Sequence, residues 1–336
     1  MPESLFLLAA VVVVALVFDF TNGAHDSANA IATIVSTKVL SPRTAVLMAA
    51  ALNLAGAFIG TKVAHTVGAG IVNPEMVKGC QAITLAALLG AIFWNLLTWY
   101  LGLPSSSSHA LIGGLIGAAL CYGGPGTLNL VSIVQKVLLP LVLSPLSGLL
   151  AGYLFMLGLS WLFREAHPHG VNTAFRKLQI VSSAFMATSH GMNDAQKTMG
   201  IITLALFVGH HIPELEVPFW VKFSCALFMA LGTAMGGWKI VKTMGHKIFK
   251  LEAVHGFAAE TAAALVITGA STVGAPISTT HTISTSVLGV GASKRLSAVR
   301  WGIAGNMVLA RVLTIPAAAA VSAACFLLLE LLGLAG

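Results

Sequence analysis

The chain has 336 residues, 57% hydrophobic and 9% charged, with a formal charge of +7. Soluble domains carry roughly 25% charged residues, so the composition predicts an all-α polytopic membrane protein, and length gives no domain count. The basic residues lie in short loops between apolar spans, which excludes nucleic acid as the partner and points to membrane lipid.

Residues 5–37 form an apolar run interrupted by Asn22-Gly-Ala-His-Asp-Ser-Ala-Asn29. That polar, Gly-containing stretch reads as a break in a membrane helix, placing Asp26 at bilayer depth, where an ionisable group is expensive and marks function. Asp19, one turn earlier, reads as a wall residue. Residues 44–67 and 80–101 read as plain spans, 104–121 as a short Ser-rich segment and 131–163 as a long span. After a polar connector come 178–208, broken near Gly191, then 219–238, 254–271, a short 276–290, and 301–332. Full spans have the roughly 20 residues a helix needs to cross a bilayer. The N-terminus has no cationic leader region, so no removable signal peptide is expected. Cys80, Cys121, Cys225 and Cys325 fit no disulfide or zinc spacing and read as small core residues. His167, His169, His210 and His211 read as solvated loop residues, not metal ligands.

The halves repeat. Gly23-Ala-His-Asp26 matches Gly191-Met-Asn-Asp194, and Pro104-Ser-Ser-Ser-Ser-His109 matches Pro276-Ile-Ser-Thr-Thr-His281, in the same order and at nearly the same separation. This predicts an N-terminal membrane repeat (1–163), a cytoplasmic connector (164–177) and a C-terminal repeat (178–336). Paired interrupted helices in corresponding positions point to a secondary transporter site. With each Pro-Ser segment counted as a crossing, five crossings per half make the repeats antiparallel. Loops bearing Lys38, Arg164, Arg176, Lys239 and Arg300 then share the cytoplasmic side, and both termini lie outside.

Ser105, Ser106, Ser107 and Ser108, and Ser278, Thr279 and Thr280, open helices whose free N–H groups and dipole bind anions. Two such starts facing each other would cradle one oxyanion. Buried acids beside an anion repel it unless a proton or cation neutralises them. Asp26, Asp194 and Glu260 are therefore read as coupling groups, with Asn22, Asn29 and Asn193 and unwound carbonyls completing an oxygen cage. A Na⁺ site would fall at Asp26, Asn193 and Asp194; no other metal is expected. His25 reads as a proton carrier. Lys197 lies three residues after Asp194 as a partner or anion contact. His109 and His281 share one role, orienting the hydroxyl runs or carrying protons. No nucleophile–base pair or phosphate-binding Gly-Lys-Ser/Thr loop is present, so no enzyme and no cofactor is expected.

The signature Asn22-Gly-Ala-His-Asp-Ser-Ala-Asn-Ala30, its partner His190-Gly-Met-Asn-Asp-Ala-Gln-Lys197 and the paired Pro-Ser/Thr-His motifs resemble the PiT family of inorganic phosphate transporters, over nearly the whole chain. The resemblance implies an inverted-repeat fold, phosphate between two Ser/Thr hairpins, and cation-coupled symport. Asp26 and Asp194 match the paired signature aspartates, Ser106 and Ser278 the hairpin serines, and Glu260 a family glutamate. It further implies a homodimer and, as in some bacterial relatives, a PhoU-like cytoplasmic accessory protein. His25 stands where the family usually has Asn, and Asn53 where many Na⁺-coupled members have Glu. Both changes resemble the bacterial low-affinity, proton-coupled branch, in the inner or plasma membrane. The leading reading is proton-coupled phosphate import; Na⁺-coupled symport, sulfate permeation on the same scaffold, and an anion channel or divalent-metal carrier are the alternatives.

Overall fold

The computed structural model describes residues 2–248 and 250–334. In lipid a backbone can satisfy its polar groups only within a helix or a closed barrel, and the apolar runs coil accordingly. In chain order the helices are α1 (Pro2–Ser36), α2 (Pro42–Gly56), α3 (Lys62–Gly70), α4 (Ala82–Leu101), α5 (Ser107–Gly123), α6 (Leu130–Ile133), α7 (Leu139–Leu162), α8 (Pro168–Val208), α9 (Phe219–Met235), α10 (Trp238–Lys242), α11 (Ala253–Thr272), α12 (Thr279–Lys294) and α13 (Trp301–Leu331).

The breaks are not where the polar stretches suggested. α1 and α8 run unbroken through Asn22–Asn29 and His190–Lys197. Their backbone carbonyls stay in the helix, so no unwound cage forms. Gly23 and Gly191 serve close crossing instead: a Cβ on Gly23 would collide with the carbonyl of Met229, and one on Gly191 with that of Asn53. Small residues let membrane helices approach this closely. The real interruptions are residues 57–61 between α2 and α3, which split an expected plain span, and Gly236–Gly237 between α9 and α10, plus the two Pro-Ser turns. The polar connector also shortens, because Pro168 starts α8 early, as a first-turn proline can.

Among the described residues, six helices are long and apolar enough to cross a membrane, or seven if α9 and α10, bent by 59°, form one span. Ten were expected. The shortfall falls on the split α2 and α3, on the 16-residue α12 and on polar α8.

Helix α4, the turn at 102–106 and α5 form a hairpin whose ends lie on one face. There Val72 pairs with Leu128, and Gly79 N donates to Val208 O (3.1 Å). Basic loops gather on the opposite face, where Arg176 donates to Lys38 O (2.8 Å) and Arg300 N to Ile248 O (3.1 Å). The α11–α12 hairpin hangs from that basic face. Contacts recur in pairs between the halves: α1 crosses α9 as α8 crosses α2, and α7 packs on α12 as α13 packs on α5. α1 and α8 are antiparallel, with Thr198 against Asp19, Ser183 against Ala30 and Gln179 against Thr37.

The apolar core is double. One cluster takes α1 up to Phe18 and α8 from Ala195 onward; the other takes α1 from Ala28 and α8 up to Ala187. The polar band Asp19–Ser27 and Ser189–Asp194 lies between them. Leu143, Leu146, Leu150 and Leu154 of α7 and Val308, Leu309, Val312 and Leu313 of α13 are exposed, a stripe suited to lipid.

Candidate functional site

Ser106 and Ser278 are N-caps of α5 and α12. Each hydroxyl accepts from the backbone N–H three residues on, His109 N and His281 N, both at 3.2 Å. Capping turns the next two side chains of each run toward the polar band. Ser107 donates to Asp26 Oδ2 (2.6 Å) and its counterpart Thr279 donates to Asp194 Oδ2 (2.7 Å). Thr280 donates to Asp26 Oδ1 (3.2 Å), and Asn29 donates to Thr279 (3.2 Å) and Thr280 (2.9 Å). Lys197 occupies the position equivalent to Asn29. Its ammonium meets Asp194 Oδ1, Ser108 Oγ and Ile277 O (2.9 Å), three acceptors for three protons.

Both aspartates carry an imidazole. His25 Nδ1 lies 2.6 Å from Asp26 Oδ1, and His190 Nε2 lies 2.9 Å from Asp194 Oδ2. Asp26, His190 and Asp194 bring ligand atoms within 4.8 Å of one another. The rings of His109 and His281 meet at 4.8 Å between centroids, where the two hairpin tips touch. Ser105 donates to Thr98 Oγ1 (2.7 Å), and both hydroxyl oxygens face His25 Nε2, at 3.4 Å and 3.3 Å. All of these groups are buried. The arrangement can bind a hydroxyl-accepting anion, hold protons between imidazole and carboxylate, or seat a cation between the aspartates.

The phosphate transporter family model matches residues 22–322 of the chain. A Rhizobium meliloti protein is 51% identical over 97% of each chain, and a Bacillus subtilis protein 46% identical over 98% of each; both are named "Probable low-affinity inorganic phosphate transporter". The chain belongs to the phosphate transporter family. A solved structure titled "The sodium-dependent phosphate transporter" is 27% identical with a TM-score of 0.85, covering 97% of this chain and 99% of that one. The family places the chain among multi-pass membrane transporters, not enzymes.

In this family member some expected site residues stand apart. Asn22 reaches only Met229 Sδ, at 3.9 Å. Asn193 donates to Ser271 Oγ (2.7 Å) and Ala275 O (3.3 Å), so its amide turns to the second hairpin and not toward Asp26. Glu260 forms a separate cluster with Thr33, Ser182 and Gln179. Asp19 accepts from Thr198. Four residues escaped the sequence reading: His190, Thr98, Asn53 as a partner of His190 (3.0 Å), and Thr233, which accepts from Asn53 (2.9 Å). The signal for His190 was present, since it precedes Asp194 by one helical turn, but an assumed break hid it.

Proposed function

We propose that this family member imports inorganic phosphate together with protons, by alternating access around the two hairpin tips. The antiparallel α1 and α8 and the paired crossings support an inverted repeat. The basic face is the cytoplasmic one, by the positive-inside rule, and both termini face out.

The observation carrying proton coupling is how the imidazoles are committed. Thr98 donates to Trp94 O (2.9 Å) and Ser105 to Thr98, so His25 Nε2 faces two acceptors and carries the ring proton. Thr233 donates to Met229 O (3.0 Å) and accepts from Asn53, whose carbonyl then accepts from His190 Nδ1. Assigned from the network in this way, both rings turn a bare nitrogen toward a carboxylate oxygen. The 2.6 Å approach at Asp26 calls for a proton in between, whereas His190 Nε2 lies 2.9 Å from Asp194 Oδ2 without an aligned hydrogen bond.

The hydroxyls that a phosphate needs are meanwhile held by the aspartates. A proton moved onto a carboxylate weakens it as an acceptor and frees Ser107 or Thr279 for the anion. Dihydrogen phosphate can share such a proton, whereas sulfate cannot. Na⁺ coupling is the second reading, favoured by the sodium-dependent relative and by the unpartnered Asn193 Oδ1. Against it, the cluster offers an imidazole nitrogen where a hard cation takes oxygen.

The test is labelled phosphate uptake into proteoliposomes with proton and Na⁺ gradients imposed separately and sulfate as competitor. Uptake driven by protons and indifferent to sulfate is expected. Uptake with Na⁺ alone refutes proton coupling, and no uptake under either gradient refutes phosphate transport.

A further inference from the structure

A lone cation lies in the membrane core beside the hairpins. Arg311 of α13 is 7% exposed, and no ion pair reaches it among the described residues. Its Nη2 donates to Ser284 Oγ of α12, and its Nε has no partner. Ser284 spends its own proton on the carbonyls of Thr280 (2.6 Å) and His281 (3.1 Å). α13 and α5 pack with Ile315 against Gly113, so Arg311 lies one turn below, level with His109. Both ring nitrogens of His281 and Nδ1 of His109 are unpartnered. A buried charge is tolerated when it is paired. Here a guanidinium and two imidazoles converge with open nitrogens, and no carboxylate pairs with the guanidinium among the described residues.

We propose that Arg311, Ser284, His281 and His109 form a second anion site, taking one inorganic monoanion, chloride or dihydrogen phosphate, separate from the aspartates. One uncompensated positive charge sets the valence. The guanidinium Nε–H and the imidazole N–H groups supply the donors. The site lies on α12 one turn past Thr280, toward the basic face.

The test is calorimetric titration of bromide and, separately, inorganic phosphate into chloride-free protein in nanodiscs, comparing wild type, Arg311→Gln, Arg311→Lys and Thr279→Ala. If chloride is the occupant, bromide binds wild type and Thr279→Ala alike. Losing a charged donor in Arg311→Gln then weakens it by about tenfold to about hundredfold, with partial recovery in Arg311→Lys. If phosphate is the occupant, bromide is silent and Arg311→Gln loses one of two phosphate sites. Anomalous diffraction from bromide-soaked wild-type crystals covers the case in which Arg311→Gln does not fold: a peak at the guanidinium supports the halide. Equal titrations in folded wild type and Arg311→Gln overturn the site, as does an absent peak with Arg311→Lys identical to wild type for both anions. Failure of phosphate uptake in proteoliposomes removes the transport reading and leaves a bromide result standing.

Discussion

Replacing Asp194 by asparagine strands Lys197. The lysine is 2% exposed, and its three protons are taken by Asp194, Ser108 and Ile277 O. Asparagine keeps the shape and the contact with Thr279 but removes the only full counter-charge among those acceptors. Breaking a buried ion pair from one side costs about 3–5 kcal/mol, because the other charge stays buried and unpaired. Lys197→Met incurs a similar cost from the opposite side, leaving Asp194 with Thr279 and His190. The double variant Asp194→Asn/Lys197→Met buries no charge at this position. Replacing both partners of such a pair is often neutral. With the double variant near neutral, the expected interaction energy is the sum of the two single losses, about 6–10 kcal/mol, far above the roughly 0.5 kcal/mol within which independent sites add. The assay is reversible unfolding in mixed detergent micelles, with each variant titrated to its midpoint. If the double variant is as unstable as the two single losses combined, Lys197 and Asp194 do not act as a pair, and the charge accounting of the site is wrong.

Ser107→Ala and Thr279→Ala each remove one membrane-buried hydroxyl bond. At about 0.6 to 1.7 kcal/mol apiece, the KM for phosphate uptake should rise about threefold to eighteenfold, alike in both variants. An effect in only one would break the pairing of the half-sites. Ser106→Ala removes the N-cap of α5 and should lower stability by about 0.5–2 kcal/mol; unchanged unfolding with weakened phosphate binding would make Ser106 a direct ligand instead. Gly23→Ala and Gly191→Ala should each destabilise by about 1–3 kcal/mol through overpacking. Gly158→Ala, with open space around its Cβ position, should not; equal folded yields for all three would refute the close-crossing role.

The fold class and the two motif pairs were legible because they are local: apolar runs, hydroxyl runs after proline, and acids in apolar surroundings. The hairpin turns were legible too, since Pro104 and Pro276 mark real interruptions. The state of α1 and α8 was not. A glycine beside polar residues looks the same whether it unwinds a helix or lets another helix cross it, and only the carbonyls of Met229 and Asn53 decide between these. Assuming a break at Gly191 removed the helical register that puts His190 beside Asp194. The carboxylate of Glu260 was grouped with the aspartates because all three are buried acids. Its partners Thr33, Ser182 and Gln179 come from helices that meet only in the fold. Arg311 was not singled out in the sequence, because its lack of an ion pair among the described residues is a property of packing.

The two half-sites share a scaffold but not a charge. Asp26 has His25 and uncharged hydroxyls, with Asn29 at the place where Asp194 has Lys197. Glu260 is matched by Leu88, equally far before the hairpin proline, so beyond the paired aspartates the N-terminal half does not repeat this acid. With a proton between each imidazole and its carboxylate, the His25–Asp26 pair is neutral, and the His190–Asp194–Lys197 group keeps one positive charge. Without those protons the first pair is negative and the second group neutral. Two protons therefore turn a site that repels phosphate into one that attracts it, at low dielectric where such differences are large. Under the proposed proton coupling, protons and phosphate therefore bind with positive linkage, each strengthening the hold on the other, and release of either favours release of the other.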